Sequence, residues 1–115
     1  ESKKDLLFVL NDNTPDGKDV SWIWDIDFRN LDNVERIITA GTRPYDIAIR
    51  IKTAGYSADK IIPCTNLGKA VELLYKTQNN KYVIANYTAI QNVRKEIKDY
   101  KEFSEKHKTV NWFFI

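Results

Sequence analysis

Leu6-Leu7-Phe8-Val9-Leu10 is apolar at every position and stops at Asn11-Asp12-Asn13-Thr14-Pro15-Asp16-Gly17. Five apolar residues without alternation suit a strand covered on both faces, as in a parallel sheet held between layers of helix. The seven residues that follow are a dense turn signal. Later apolar runs repeat the pattern. Arg36-Ile37-Ile38-Thr39-Ala40-Gly41, Ile61-Ile62-Pro63-Cys64 and Lys81-Tyr82-Val83-Ile84-Ala85-Asn86 read as strands, with Pro63 marking an end or a sheet edge. A helix opened by Pro44, with Thr42 as candidate N-cap, runs to about Thr53 and stops at Gly55. From Asn66, Leu67, Ala70, Val71 and Leu74 follow helical spacing. After Tyr87, Ile90, Val93, Ile97 and Tyr100 mark a long amphipathic helix with Lys and Glu outside. Val110 to Ile115 is a last strand or the stump of one. Strands alternating with helices predict an α/β three-layer sandwich with a mainly parallel sheet, one domain over residues 1–115.

The segment Val20 to Phe28 (VSWIWDIDF) alternates instead. Val20, Trp22, Trp24, Ile26 and Phe28 would point one way, and Ser21, Ile23, Asp25 and Asp27 the other. Strands disfavour Asp, and like charges on one strand face need solvent or a partner to offset them. Protection of a sheet edge is one account of this pair. Presentation of a carboxylate to a group outside the chain is the other.

Composition narrows the function classes. Eighteen Lys and Arg against sixteen Asp and Glu give a formal charge of +2, and the two signs are interleaved. That pattern argues against a nucleic-acid partner. No apolar run approaches the roughly 18 residues needed to cross a bilayer. A single Cys64 cannot form an internal disulfide, and with a single His it cannot build a protein-only zinc site. These features suggest a reduced, cytoplasmic setting. The chain lacks Met and begins in the polar stretch Glu1-Ser2-Lys3-Lys4-Asp5, so it is expected to be a piece of a longer protein.

The common site signatures are absent: no G-x-G-x-x-G, G-x-x-x-x-G-K-[ST], G-x-S-x-G or H-E-x-x-H occurs. Cys64 follows Pro63 at a strand end, but His107 lies in a charged run, and the plainer reading is a small buried thiol and a solvated imidazole. Carboxylates beside the expected strand ends remain. Asp12, Asp16 and Asp19 read first as turn formers. Arg43 and Asp46 flank a helix N-terminus, where backbone N–H groups and a guanidinium fork suit an anion. Equally, Asp46 can complement the helix dipole while Arg43 pairs locally.

Three blocks, in order, resemble one family. They are Leu10 to Gly17 continuing into Asp19-Val20-Ser21-Trp22-Ile23-Trp24-Asp25-Ile26-Asp27-Phe28, then Gly41-Thr42-Arg43-Pro44-Tyr45-Asp46-Ile47-Ala48-Ile49-Arg50-Ile51-Lys52-Thr53-Ala54-Gly55, then Asn86-Tyr87-Thr88-Ala89. Together they resemble the C-terminal domain of MurT, the Mur-ligase-like subunit of lipid II isoglutaminyl synthase. Lys101 to Ile115 lies outside the similarity.

The resemblance implies a Rossmann-like fold similar to the third domain of Mur ligases. It implies a GatD-type glutamine amidotransferase partner that supplies a Cys and a His and releases ammonia. The rest of the MurT chain, with ATP and Mg²⁺, would activate the D-glutamate carboxylate of lipid II for amidation at the inner face of the membrane. It also implies that Asp25, with Asp27 in reserve, completes the partner's catalytic triad. Asn11, Asp12, Asn13, Arg43 and Asp46 would face nucleotide or substrate. No cofactor or metal is expected in this chain, the ATP-binding loop and zinc ribbon of the family lying elsewhere. Two other classes stay open: a stand-alone anion-binding or scaffold domain, and the closing domain of an ordinary Mur-type amino-acid ligase.

Overall fold

The computed structural model describes residues 3–12, 32–103 and 109–114. In chain order the elements are β1 (Lys4–Leu10), β2 (Val34–Gly41), α1 (Pro44–Thr53), a 3-10 turn (Ala58–Lys60), β3 (Ile61–Pro63), α2 (Leu67–Leu74), β4 (Asn80–Ala85), α3 (Tyr87–Phe103) and β5 (Val110–Phe114). The strands form one sheet in the order β3-β2-β1-β4-β5, and every pairing is parallel. This is the α/β sandwich that the sequence implies. Pro63 does sit in an edge strand, where its missing N–H costs nothing. The alternating stretch Val20 to Phe28 lies outside the described residues.

β1 lies at the centre, and its unalternating composition follows from having a core on each side. Leu7 and Val9 join Ile38, Ala40, Val83 and Ala85 beneath α2 and α3, which contribute Ala70, Val71 and Leu74, and Ala89, Val93 and Ile97. Leu6, Phe8 and Leu10 face the other way with Val34 and Ile37, against Ile47 and Ile51 of α1. Each Val, Leu, Ile or Phe side chain among them contributes about 1.5–3 kcal/mol when fully buried. Among the described residues, no helix is long and apolar enough to cross a membrane.

α1 carries the chain from β2 outward to β3, whereas α3 carries it from β4 outward to β5 on the opposite side of β1. The direction of winding therefore reverses between β1 and β4. In parallel sheets the crevice beyond the carboxyl ends at such a reversal is where functional groups collect. Gly41 ends β2 there with φ +99°, and a Cβ at this position would stand 2.3 Å from the Leu10 carbonyl oxygen. Gly55, after α1, has φ +110° but open space around it.

The amino end of the sheet holds a feature that hydrophobic patterning does not reveal. β1 begins two residues before its apolar run, and Asp5 is fully buried. Its carboxylate meets Arg36 Nη2 at 3.2 Å, Asn79 Nδ2 at 3.2 Å, the Thr77 hydroxyl and Lys81 Nζ at 3.6 Å. Lys81 is itself 1% exposed and donates to the Asn79 carbonyl at 3.1 Å. Burial pushes the Asp5 carboxyl upward, but hydrogen bonds from Arg36, Thr77 and Asn79, with the Arg36 charge, outweigh it. The group ends below its ordinary value of 3.8.

Gly41→Ala should destabilise the fold by at least about 2 kcal/mol, through left-handed backbone strain plus the clash with Leu10, while Gly55→Ala should cost about 1 kcal/mol from strain alone. Urea titration of both variants reads the difference, and equal losses would exclude the Leu10 clash as a cause. Asp5→Ala should cost about 3–5 kcal/mol near neutral pH, because it strands Lys81 and Arg36 without their carboxylate. Because Asp5 binds its proton less readily when folded, its contribution is complete above its ordinary pKa and fades as pH falls below it. Stability measured against pH should thus show a shallower loss below about pH 4 in Asp5→Asn than in the parent.

Candidate functional site

Three strand ends are sewn together by polar side chains. Asn11, just past β1, and Asn86, just past β4, exchange hydrogen bonds: Asn11 N–H donates to Asn86 Oδ1 at 3.0 Å, and Asn86 Nδ2 donates to the Asn11 carbonyl at 2.7 Å. Both residues are buried. The Asn11 side chain in turn accepts from Thr42 N–H at 3.1 Å and donates to Thr88 Oγ1 at 3.2 Å. Asn11 therefore touches the starts of both α1 and α3.

Thr42, expected as the N-cap of α1, does something else. The cap position is Arg43, which makes no side-chain capping bond, and Pro44 occupies the first turn. The Thr42 hydroxyl donates to Asp12 Oδ1 at 2.8 Å and accepts the Asp12 N–H at 2.9 Å. Gly41 explains the change: its positive φ turns the chain so that Arg43 N–H reaches the Leu10 carbonyl at 3.1 Å and Thr42 faces Asp12 rather than its own helix.

Arg43 bridges two carboxylates, with Nη1 3.1 Å from Asp12 Oδ2 and Nε 2.5 Å from Asp46 Oδ2. Hydrogen bonds to Asp46 and then Asp12 raise its pKa and hold it charged. The three groups sum to a formal charge of −1. With Nε and Nη1 engaged by the chain's own acids and a net formal charge of −1 on the group, this helix terminus is ill suited to anion capture.

Asn11, Asp12, Arg43 and Asp46 thus fall in one network. Asn13, Asp25 and Asp27 lie outside the described residues. The sequence reading missed the roles of Thr42, Asn86 and Thr88 in that network. Asn86 stood in the third block of the family pattern, but a pairing across 75 residues leaves no local signal.

Cys64 follows β3 and is half-buried rather than buried, its N–H donating to the Thr39 carbonyl at 2.7 Å. Burial pushes its thiol upward from the ordinary 9.0, and Lys69 offsets this only in part. A nucleophilic thiol needs the opposite shift. His107 lies outside the described residues.

An all-parallel sheet with helices on both faces and a polar network at the strand-order reversal defines a Rossmann-like α/β domain, consistent with a Mur ligase C-terminal domain. The family model described as MurT ligase C-terminal matches residues 1–90. The chain belongs to this family. It is 36% identical over 92 residues to the lipid II isoglutaminyl synthase (glutamine-hydrolyzing) subunit MurT of Streptococcus pneumoniae R6, covering 77% of this chain. It is 35% identical over 92 residues to the corresponding subunit of Staphylococcus aureus COL, covering 78% of this chain. The chain spans 21% of the length of each relative.

The environment of Cys64 sets its reactivity. Its alkylation rate should rise with pH through a midpoint above 9.0, since burial delays thiolate formation. A midpoint below that value would give Cys64 an activated character that this environment does not provide.

Proposed function

We propose that this domain serves as the C-terminal domain of a MurT-type subunit of lipid II isoglutaminyl synthase, docking a GatD-type glutaminase and lending Asp25 to its Cys-His pair. The match to the MurT C-terminal family over residues 1–90 carries the reading, because it includes the Trp22-x-Trp24-Asp25 segment, the Gly41–Gly55 block and Asn86. The names of the two relatives support the reaction class. Lipid II is the proposed substrate, at the inner face of the membrane. ATP and Mg²⁺, which would activate the D-glutamate carboxylate, are assigned to the remainder of the subunit.

In this mechanism the partner's cysteine attacks the glutamine side-chain amide after its proton passes to the partner's histidine. A third group need only fix the imidazole tautomer and stabilise the imidazolium, so it can come from another polypeptide. A carboxylate on a strand anchored by tryptophans on its opposite face would suit that work, because a fixed backbone presents the charge in one orientation. The arrangement would also keep glutamine hydrolysis idle until the two subunits meet. Asp27 holds the reserve role.

The complete subunit, assembled with its glutaminase partner, tests this directly. Asp25→Asn should preserve complex formation and lower glutamine turnover by about 10³–10⁴-fold, the effect of losing a triad acid. Wild-type turnover in an intact complex would refute the assignment, and a collapse confined to Asp27→Asn would move the role there.

A further inference from the structure

α3 sorts its charges by side. At steps of four and three along the helix, Tyr87, Gln91, Arg94, Lys98 and Lys101 form one stripe, and it contains no acid. The stripe runs beside β5, because the Arg94 guanidinium lies over the Trp112 ring, 5.4 Å from its centre. Glu96 and Asp99 turn the other way and line a crevice against Lys69 and Glu72 of α2. Lys95 pairs with Asp99 at 3.4 Å, whereas Lys98 and Lys101 form no ion pair among the described residues.

β5 adds an aromatic band to this cationic side. Among the described residues it is a sheet edge, and Val110-Asn111-Trp112-Phe113-Phe114 carries no charge. Val110 and Trp112 pack into the core beneath α3. Phe114 follows them onto that face by alternation and stays 64% exposed. Phe113 points to the opposite face, stacks on Tyr82 with ring centres 6.0 Å apart, and stays 52% exposed. Tyr87, 73% exposed, opens the stripe at the same end of the sheet, since Phe114 is level with Ala85. Most of this surface lies after residue 90, beyond the residues that the family model matches.

Neighbouring phenylalanines on opposite faces of an edge strand cannot both be covered by one flat partner. A fluid medium surrounds such an edge on both faces at once. Tryptophan and tyrosine favour the boundary between lipid and water, and a row of cations beside them is complementary to anionic headgroups. The backbone sets the depth. The outer N–H and C=O groups of an edge strand need water or headgroup oxygens, so the edge rests among the headgroups and does not enter the hydrocarbon.

We propose that β5 and the Tyr87–Lys101 stripe of α3 form a peripheral binding surface for anionic phospholipid bilayers. The inference goes beyond the proposed function and does not rest on it, although a lipid-linked substrate would bring the domain to the same place.

Vesicle sedimentation of the complete polypeptide that carries this domain, without substrate, tests the surface. The parent should bind vesicles made of phosphatidylglycerol and phosphatidylcholine in equal parts, and not vesicles of phosphatidylcholine alone. Salt at about 1 M, where the Debye length is about 3 Å, should release it. Lys98→Gln with Lys101→Gln should lower the partition coefficient by about 25-fold, at about fivefold for each cation near the surface. Phe113→Ser with Phe114→Ser should lower it by at least about tenfold, through the apolar area lost at the interface. Lys52→Gln with Lys69→Gln removes the same charge elsewhere on the domain and should leave binding within about twofold. If the phenylalanine pair unsettles the fold, the lysine pair decides against its charge-matched control. No binding of the parent to anionic vesicles, unchanged binding in the Lys98 and Lys101 pair, or an equal loss in the control pair would overturn the inference. So would capture of a single-stranded oligonucleotide or an acidic peptide through Lys98 and Lys101 with the vesicles left unbound, which would give the surface to that partner instead.

Discussion

The fold depends on one strand with two dry faces. β1 supplies Leu7 and Val9 to one core and Leu6, Phe8 and Leu10 to the other, so neither helical layer closes without it. A parallel strand in this position has no solvent face on which to shed an error of register. A one-residue slip would exchange its two apolar sets rather than expose one, and hydrophobicity alone would resist that weakly. Register must come from the ends. At the amino end Asp5 is tied to Arg36 and Lys81 of the two flanking strands, and at the carboxyl end Asn11 is tied to Asn86. Directional polar groups at the two ends do what the uniform middle cannot.

The two ends of the sheet differ in chemistry. The amino end is ionic and sealed: Asp5 and Lys81 are almost fully buried, and Lys81 Nζ also lies 5.9 Å from the centre of the Tyr75 ring. Charges held this way are costly to rearrange and suit a part that stays fixed. The carboxyl end is built mostly of neutral amides and hydroxyls, with the Asp12–Arg43–Asp46 group partly exposed at its rim. Neutral hydrogen bonds carry a smaller desolvation cost and can be remodelled one at a time.

Much of this was legible in the sequence, for reasons that name its limits. The Leu6–Leu10 run announced a doubly buried strand because burial on two faces removes alternation, and Pro63 announced an edge because a ladder has no place for a residue without N–H. Gly55 marked the end of α1 through its backbone freedom. The buried Asp5 and Lys81 gave no warning, since each reads locally as the polar flank of an apolar run and only the register of three strands brings them together. Thr42 was assigned to the wrong partner on the same ground. Cap preferences describe a residue and its own helix, whereas the Gly41 turn brought Asp12 from another strand within reach. The Asn11–Asn86 clamp is the extreme case, invisible until topology places β1 beside β4.

The carboxylates of the described strand ends bear on which acid a partner could borrow. An acid that orients a foreign imidazole must keep both an open lone pair and an unneutralised charge, because a cation already beside it lowers its basicity and competes for the same oxygen. Asp12 and Asp46 share the guanidinium of Arg43, and Asp12 is held further by Thr42. Asp5 is buried among its own cations at the far end of the sheet. Each of these acids is spoken for by the chain that carries it. The triad role proposed for Asp25, with Asp27 in reserve, rests on the family resemblance and not on these described acids. Internal neutralisation of this kind holds the described strand-end acids in fixed ion pairs within the chain.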